Sequence, residues 1–331
     1  MDAKEKAKSR ISFLLLTADW HWLTVPVGKQ KGQILKGIGW VLEKTIEIWK
    51  WLTVHVWIPR MLKRIGQLGQ IDHIIYGGDL IESEFNERGM VSEEDFQQVQ
   101  RYVSKIRESA EGYPPMYLAP GDHELGYRLP MSKDPEGGIS LKSIRRCMGI
   151  FGRPFEYFSV GQIHFILLSS SLLIQSFSHR PEDEQAKIAE LAREQIGFLI
   201  VKLLTIPAVE EVFLFLHDPD ALVKVDEIIS DKTLPGHIRD KEILAFCGHL
   251  HGEWVLSAYR RLGLMASGKW ARFMPEKIRN WAAGNLERLK TFERYKLRVI
   301  PAPGGMMGMG KGFLTLSVYD DGTWEIQRKK I

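Results

Sequence analysis

Cysteine is almost missing from this chain. Among 331 residues only Cys147 and Cys247 are cysteines. Two thiols make no disulfide framework, and these offer no Cys-x-x-Cys zinc spacing. A disulfide-stapled scaffold is therefore excluded. A reducing compartment is the natural reading, so the expected location is cytoplasmic. Cys247 closes an apolar run and reads as a small buried residue. Long hydrophobic runs are missing too. No segment reaches the roughly 18 uninterrupted apolar residues of a membrane span. The basic start MDAKEKAKSR and the short run ISFLLLT superficially resemble a signal peptide. The run ends at once in Asp19-Trp20-His21, however, without a small-residue cleavage site, and reads as a first β-strand. Charge of one sign is lacking as well. Lys and Arg number 45 against 41 Asp and Glu, giving a net charge of +4. That mild bias fits an anionic substrate or surface without specifying either.

What is present supports a large core. Hydrophobic residues make up 44% and charged residues 26%, a folded rather than a disordered composition. The expectation is one domain over 1–331 with insertions. Short apolar runs at Ile11–Leu16, Ile71–Tyr76, Met116–Ala119, Ile163–Leu168, Val212–Leu216 and Ile243–Phe246 read as buried parallel strands. Helical patterns lie between them. Ser92-x-x-Asp95 resembles a capping box, and Phe96, Val99, Val103 and Ile106 follow at helical spacing. A second helix is expected from about Glu182 to Leu204. Strands alternating with helices predict an α/β sheet protein. Near the end, Phe313–Tyr319 and Thr323–Gln327 flank Asp321-Gly322 and predict a β-hairpin.

The polar residues that carry chemistry lie where these strands end. Asp19-x-His21 follows the first. Gly77-Gly78-Asp79, Gly121-Asp122-His123-Glu124, His217-Asp218 and Gly248-His249-Leu250-His251-Gly252 follow four others. In an open α/β sheet, ligands bind at the carboxyl ends of strands, so five such ends converge on one place. Carboxylate oxygen and imidazole nitrogen without sulfur suit Zn, Mn or Fe. A shared carboxylate can hold two ions ~3.5–4 Å apart, as two-metal hydrolases do. Each motif alone is weak; the ordered set is specific.

The set Asp-x-His, Gly-Asp, Gly-Asn-His-Glu/Asp, His and Gly-His-x-His is the signature of the calcineurin-like metallophosphoesterases. This sequence resembles it from Phe13 to Gly252. The resemblance implies a four-layer sandwich, two packed mixed β-sheets flanked by α-helices. It implies two divalent ions (Mn²⁺, Zn²⁺ or Fe²⁺), one held by Asp19, His21, Asp79 and His251. The other would be held by Asp79, Asp122, His217 and His249. His123 would lie beside the substrate phosphate and protonate the leaving oxygen or stabilise the transition state. The implied reaction is hydrolysis of a phosphodiester, phosphomonoester or pyrophosphate by a metal-bound hydroxide. One departure stands out: the family has Asn where this chain has Asp122. An ionised Asp keeps a ligand oxygen but loses the amide donor and adds negative charge near an anionic substrate. Either it changes substrate preference or it is a functional equivalent.

Two insertions follow directly on ligand motifs. Residues 22–70 carry Trp22, Trp40, Trp49, Trp51 and Trp57 with basic residues nearby. Residues 254–298 carry Trp254, Trp270 and Trp281 among many Lys and Arg. Both are expected to be helical. An apolar, basic-rimmed segment suits an anionic membrane surface or a lipid-linked substrate. Packing against the core or an oligomer contact is the bland alternative. These inserts and the metal motifs resemble UDP-diacylglucosamine pyrophosphohydrolases in kind rather than in detail. A nuclease similar to the repair exonucleases is the alternative enzyme, with nucleic acid disfavoured by the apolar first insert. A non-catalytic scaffold, like the retromer subunit of this fold, ranks last because every ligand position holds a competent residue. Gly305–Gly312 approaches a P-loop but lacks the Ser or Thr; Lys311 is expected to touch phosphate. His73 and His164 read as structural. Asp218 reads either as a partner orienting His217 or as a turn residue.

Overall fold

A computed structural model describes residues 9–20, 22–23, 48, 52–82, 93–126, 138–178, 180–250, 256–257, 260–261, 264, 276–303 and 311–331. Its strands in chain order are β1 (Arg10–Thr17), β2 (Trp22–Leu23), β3 (His73–Tyr76), β4 (Ile81–Glu82), β5 (Met116–Leu118) and β6 (Glu156–Val160). They continue with β7 (Ile163–Leu167), β8 (Glu211–Leu216), β9 (Ile243–Cys247), β10 (Arg298–Val299), β11 (Phe313–Tyr319) and β12 (Trp324–Lys329). Two mixed five-stranded sheets result, in the orders β12-β11-β1-β3-β5 and β10-β9-β8-β7-β6. β1, β3 and β5 are parallel in the first sheet, and β7, β8 and β9 are parallel in the second.

The period-2 geometry of strands builds the layers. In β1, Leu14 and Leu16 face the second sheet, while Phe13 and Leu15 join the helix-side core. In β7 and β8, Phe165, Leu167, Phe213 and Phe215 point into the space between sheets; Ile166, Leu214 and Leu216 point to the outer core. The inter-sheet layer is largely aromatic. Phe215 stacks on Phe246 at 4.7 Å, and Trp324 of β12 meets Phe213 edge-on at 5.2 Å. Strands with both faces covered need continuous apolar runs, which is why these strands were visible in the sequence. The architecture is an α/β sandwich of two sheets flanked by helices, as expected.

Helices cover both outer faces. Glu93–Ser109 buries Val99, Tyr102, Val103 and Ile106 on the first sheet. Glu182–Thr205 opens with Glu182, Asp183 and Glu184 in its first turn, where the helix dipole favours acids. Its Leu199 and Leu203 sit in the second outer core. The hairpin β11–β12 turns at Gly322, whose φ of 79° needs no Cβ penalty.

The described parts of the insertions pack onto this frame. A π-helical turn, Thr53–Trp57, leads into the helix Ile58–Gly66, with Pro59 in its first turn. That helix buries Ile58, Met61 and Ile65 in the same core as Val99 and Ile106. Trp40, Trp49 and Trp51 lie outside the described residues. From the second insertion, the helix Glu276–Arg294 buries Leu289 and Phe292 in the second outer core. Arg294 and the Tyr295 hydroxyl donate to Asp226 at 2.6 and 2.8 Å, fastening it to the helix Asp220–Ile229. Among the described residues no helix is long and apolar enough to cross a membrane.

Candidate metal centre

Each candidate loop leaves the end of a strand. Asp19 follows β1, Asp79 follows β3 and Asp122 lies beyond β5, all in the first sheet. His217 follows β8 and His249 lies just past β9, both in the second. Backbone bonds stitch the loops together. Gly77 donates to the Thr17 carbonyl at 2.7 Å, Asp19 to Gly78 at 2.9 Å and Ala119 to Tyr76 at 2.9 Å. The His249 amide crosses between sheets to Asp19 Oδ1 at 2.9 Å.

Four side chains converge. One donor atom each from Asp79, Asp122, His217 and His249 lies within 4.8 Å of the others, a grouping able to hold a metal ion. His217 Nε2 is 3.0 Å from Asp79 Oδ2, 3.3 Å from Asp122 Oδ1 and 3.2 Å from His249 Nδ1. Its other nitrogen, Nδ1, is 2.7 Å from the Gly77 carbonyl oxygen. A carbonyl accepts only, so Nδ1 carries the proton and Nε2 faces the carboxylates. Asp19 borders the group, with Oδ1 at 3.9 Å from His217 Nδ1.

Electrostatics favour a cation here. Asp19, Asp79 and His217 are almost wholly buried. Burial alone would push the His217 pKa down, but Asp79, the hydrogen bonds to Asp122 and Asp79, and Asp19 outweigh it and raise it well above the ordinary histidine value. For Asp122, burial and the Asp79 charge push upward, but His217 and His123 prevail and hold it below the usual carboxylate range. Both directions show acidic oxygens attracting positive charge to Nε2. A divalent ion placed among these donors meets the same demand, so the residues fit such an ion.

The backbone is strained where the donors sit. Among the described residues, five non-glycine residues have positive φ, and three are Asp19 (51°), Asp79 (58°) and His249 (46°). Such conformations cost of order ~1–3 kcal/mol each and cluster at functional sites. Glycine supplies close approach. A Cβ on Gly121 would lie 2.2 Å from Asp79 Oδ1, and one on Gly78, itself at φ 93°, 2.5 Å from His217 Nδ1.

The motif Gly121-Asp122-His123-Glu124 does not reveal what Glu124 does. Its buried carboxylate accepts from three backbone amides: Asp79 at 2.9 Å, Leu80 at 2.5 Å and Gly121 at 2.8 Å. It thereby clamps the Asp79 loop to the Asp122 loop. The partners are 44 and 45 residues away in sequence for two of these bonds, so spacing could not reveal them.

The remaining sequence candidates fall as follows. His123 is buried at the rim; its amide donates to Asp79 Oδ1 at 3.2 Å and its Nε2 lies 3.9 Å from Asp79 Oδ2. His21 and His251 lie outside the described residues. Asp218 has the turn role: Oδ1 accepts from the Asp220 amide at 2.8 Å at the start of a helix. The Lys311 ammonium sits 3.1 Å from the centroid of the Trp57 ring, with Arg60 over the same ring at 5.3 Å. Burial and the Arg60 charge lower its pKa. His164 bonds the Tyr157 hydroxyl at 2.8 Å and Glu210, and His73 stacks on Phe158 at 5.1 Å, both structural.

No protein-family profile matches the sequence, and no curated protein matches it. Among solved structures the chain is similar to the phosphopantetheinyl hydrolase (PptH) from Mycobacterium tuberculosis. Identity is 15% over 72% of this chain and 83% of that one, with a TM-score of 0.34. A likeness this distant carries no information on chemistry.

Proposed function

We propose that this chain is a metal-dependent phosphoesterase of the calcineurin-like type. The observation that supports it most is the meeting of Asp79, Asp122, His217 and His249 from both sheets within 4.8 Å. In this reading those four hold one ion, and Asp19 and Asp79 hold a second together with His21 and His251. Divalent ions bound there supply Lewis acidity toward phosphoryl oxygens and lower the pKa of water.

The chain's own residues do the rest. Asp19, Asp79 and Asp122 set the charge of the centre, and Glu124 fixes the spacing of two ligand loops. Gly78 and Gly121 leave room for the imidazole of His217 and the carboxylate of Asp79. His123 stands beside the donors without being one of the four. It donates a proton to the departing oxygen, help typically worth ~10²–10⁴-fold. The centre has a rigid base, because the loops carrying Asp19 and Asp79 are bonded to each other and to strand ends through the Gly77, Asp19 and Ala119 amides.

The test is hydrolysis of bis(p-nitrophenyl) phosphate, p-nitrophenyl phosphate, single-stranded DNA and a lipid pyrophosphate. The protein is stripped with EDTA and reloaded with Mn²⁺. Mn²⁺-dependent release of product from at least one phosphoester is expected, with His123→Ala retaining metal but losing most turnover. Failure on every substrate, with wild-type protein that binds metal, would sink the proposal. Preference for DNA would select the nuclease alternative.

A further inference from the structure

A cleft of about 110 Å³ opens directly beside the candidate centre. Asp218, Asp220, His249, Asn285, Arg288 and Phe292 contribute to its walls. His249 belongs both to this wall and to the donor cluster. Asp218 is the next residue after His217. The cleft therefore begins where the metal donors end. We infer that it is a subsite for a neutral polyhydroxyl substituent, a glycerol or sugar unit, carried by the phosphoryl substrate. The inference rests on the phosphoesterase reading above and specifies its substrate class.

Asn285 points to a ligand. It sits on the helix Glu276–Arg294 with only 8% of its surface exposed, and its buried amide nitrogen has no hydrogen-bond partner among the described residues. An unsatisfied buried donor destabilises the fold, and an apolar residue would relieve that cost. Asn285 also lines the cleft, so a rotation of its side chain toward the opening gives the amide a partner when an oxygen-bearing group enters.

The charges select which group enters. Asp218 and Asp220 bring two carboxylates, and Arg288 brings one guanidinium, already 2.9 Å from Asp220 Oδ2. A second phosphate would face two carboxylates with their counter-ion engaged. A cationic head group would find Asp220 already neutralised by Arg288 and one Asp218 oxygen already accepting the Asp220 amide. A hydroxyl both donates and accepts, so a diol can donate to Asp218 or Asp220 while accepting from Asn285 and Arg288. The buried ring of Phe292 supplies an apolar wall for the C–H face of such a unit. The small volume admits one such unit rather than a polymer.

The decisive comparison uses three phosphodiesters sharing a p-nitrophenolate leaving group. Their second substituents are methyl, glyceryl and phosphoethyl, and cyclic phosphate formed by attack of the vicinal glyceryl hydroxyl is counted separately from hydrolysis. With Mn²⁺-loaded wild type, kcat/KM for the glyceryl ester is expected to exceed that for the methyl ester about tenfold, one good hydrogen-bonded contact's worth. The phosphoethyl ester should rank lowest. Asn285→Ala and Asn285→Leu should bring the glyceryl-to-methyl ratio close to one. A purely structural role for Asn285 would lower both esters together and leave the ratio intact. Equal rates for methyl and glyceryl esters in the wild type, or a ratio that survives both substitutions, overturn the subsite while leaving the phosphoesterase reading standing. If neither variant folds, the wild-type ratio alone decides. No turnover of any ester overturns the phosphoesterase reading and the subsite with it.

Discussion

His217 turns its Nδ1 onto the Gly77 carbonyl at 2.7 Å, which aims Nε2 at Asp79, 3.0 Å away across the seam between the two sheets. A backbone atom of one sheet thus fixes the tautomer of a ligand from the other. The arrangement predicts metal-linked stability. Adding Mn²⁺ or Zn²⁺ to stripped protein should raise Tm, since an ion at ~100 times its Kd contributes about 2.7 kcal/mol. Metal content should approach two equivalents. His217→Ala should abolish most of the shift, because it removes an Nε2 that faces two carboxylates. Differential scanning calorimetry with metal analysis checks both. A wild-type protein with no bound metal and no shift would contradict the assignment.

Glu124 accepts three backbone amides, two through one oxygen. In Glu124→Gln one oxygen becomes an NH₂ that can only donate, and it must face an N–H. Leaving a buried donor unsatisfied costs about 1–3 kcal/mol. The variant should lose Tm and bind Mn²⁺ more weakly, because the Asp79 and Asp122 loops lose their common anchor. Chemical denaturation and metal titration read the two effects separately. Lost stability with wild-type metal affinity would show that the clamp serves the fold alone.

Much of this architecture was legible because buried parallel strands must be continuously apolar. β1, β3, β5, β7, β8 and β9 all announced themselves that way, and each ligand loop follows such a run. β6 did not, because Glu156–Val160 is a half-buried edge strand whose sequence EYFSV lacks a clean period. The pairing of β2 with β4, two residues each, is too short to leave a local pattern. The helix Ile58–Gly66 belongs to the expected first insertion and packs on the core, burying Ile58, Met61 and Ile65 on one stripe, a pattern that does not say what the stripe will meet. The basic residues of the second insertion suggested an anionic surface. Several are already matched: Arg260 with Glu293 at 3.0 Å, Arg288 with Asp220 at 2.9 Å and Lys290 with Glu287 at 2.8 Å. Asn285 and Glu124 were silent because their roles depend on neighbours brought by the fold.

Glu156 gives a pH signature away from the centre. Burial raises its pKa to about 7. A carboxyl with a folded pKa above its unfolded value holds more protons when folded, so stability falls as pH rises from about 4.5 to 7. The side chain is partly exposed, and solvent screening reduces the effect to roughly 1 kcal/mol. Glu156→Gln should therefore melt higher than wild type at pH 8 and match it at pH 4.5. Thermal melts across that range check the sign. A difference that is constant with pH would mean that Glu156 does not titrate in the window.

Asp122 carries the departure from the metallophosphoesterase pattern, and its charge has a measurable consequence. Oδ1 lies 3.3 Å from His217 Nε2 and 3.8 Å from His249 Nδ1, so the carboxylate faces the cation position directly. Asp122→Asn keeps an oxygen there and removes one negative charge. The affinity for Mn²⁺ should fall, because an amide oxygen attracts a divalent ion less than a carboxylate does. The substrate effect runs the other way. A charge ~5 Å from a phosphoryl group at an effective dielectric near 20 contributes about 3 kcal/mol per unit charge on the substrate. A dianionic monoester feels that repulsion twice and a monoanionic diester once, so the variant should favour the monoester. Allowing for screening by bound ions, the ratio of kcat/KM for p-nitrophenyl phosphate over bis(p-nitrophenyl) phosphate should rise roughly tenfold. Both rates must be taken at saturating Mn²⁺, so that weaker metal binding does not disguise the change. An unchanged ratio together with unchanged metal affinity would mean that Asp122 and Asn are equivalent here, and that the charge of this ligand plays no part in choosing the substrate.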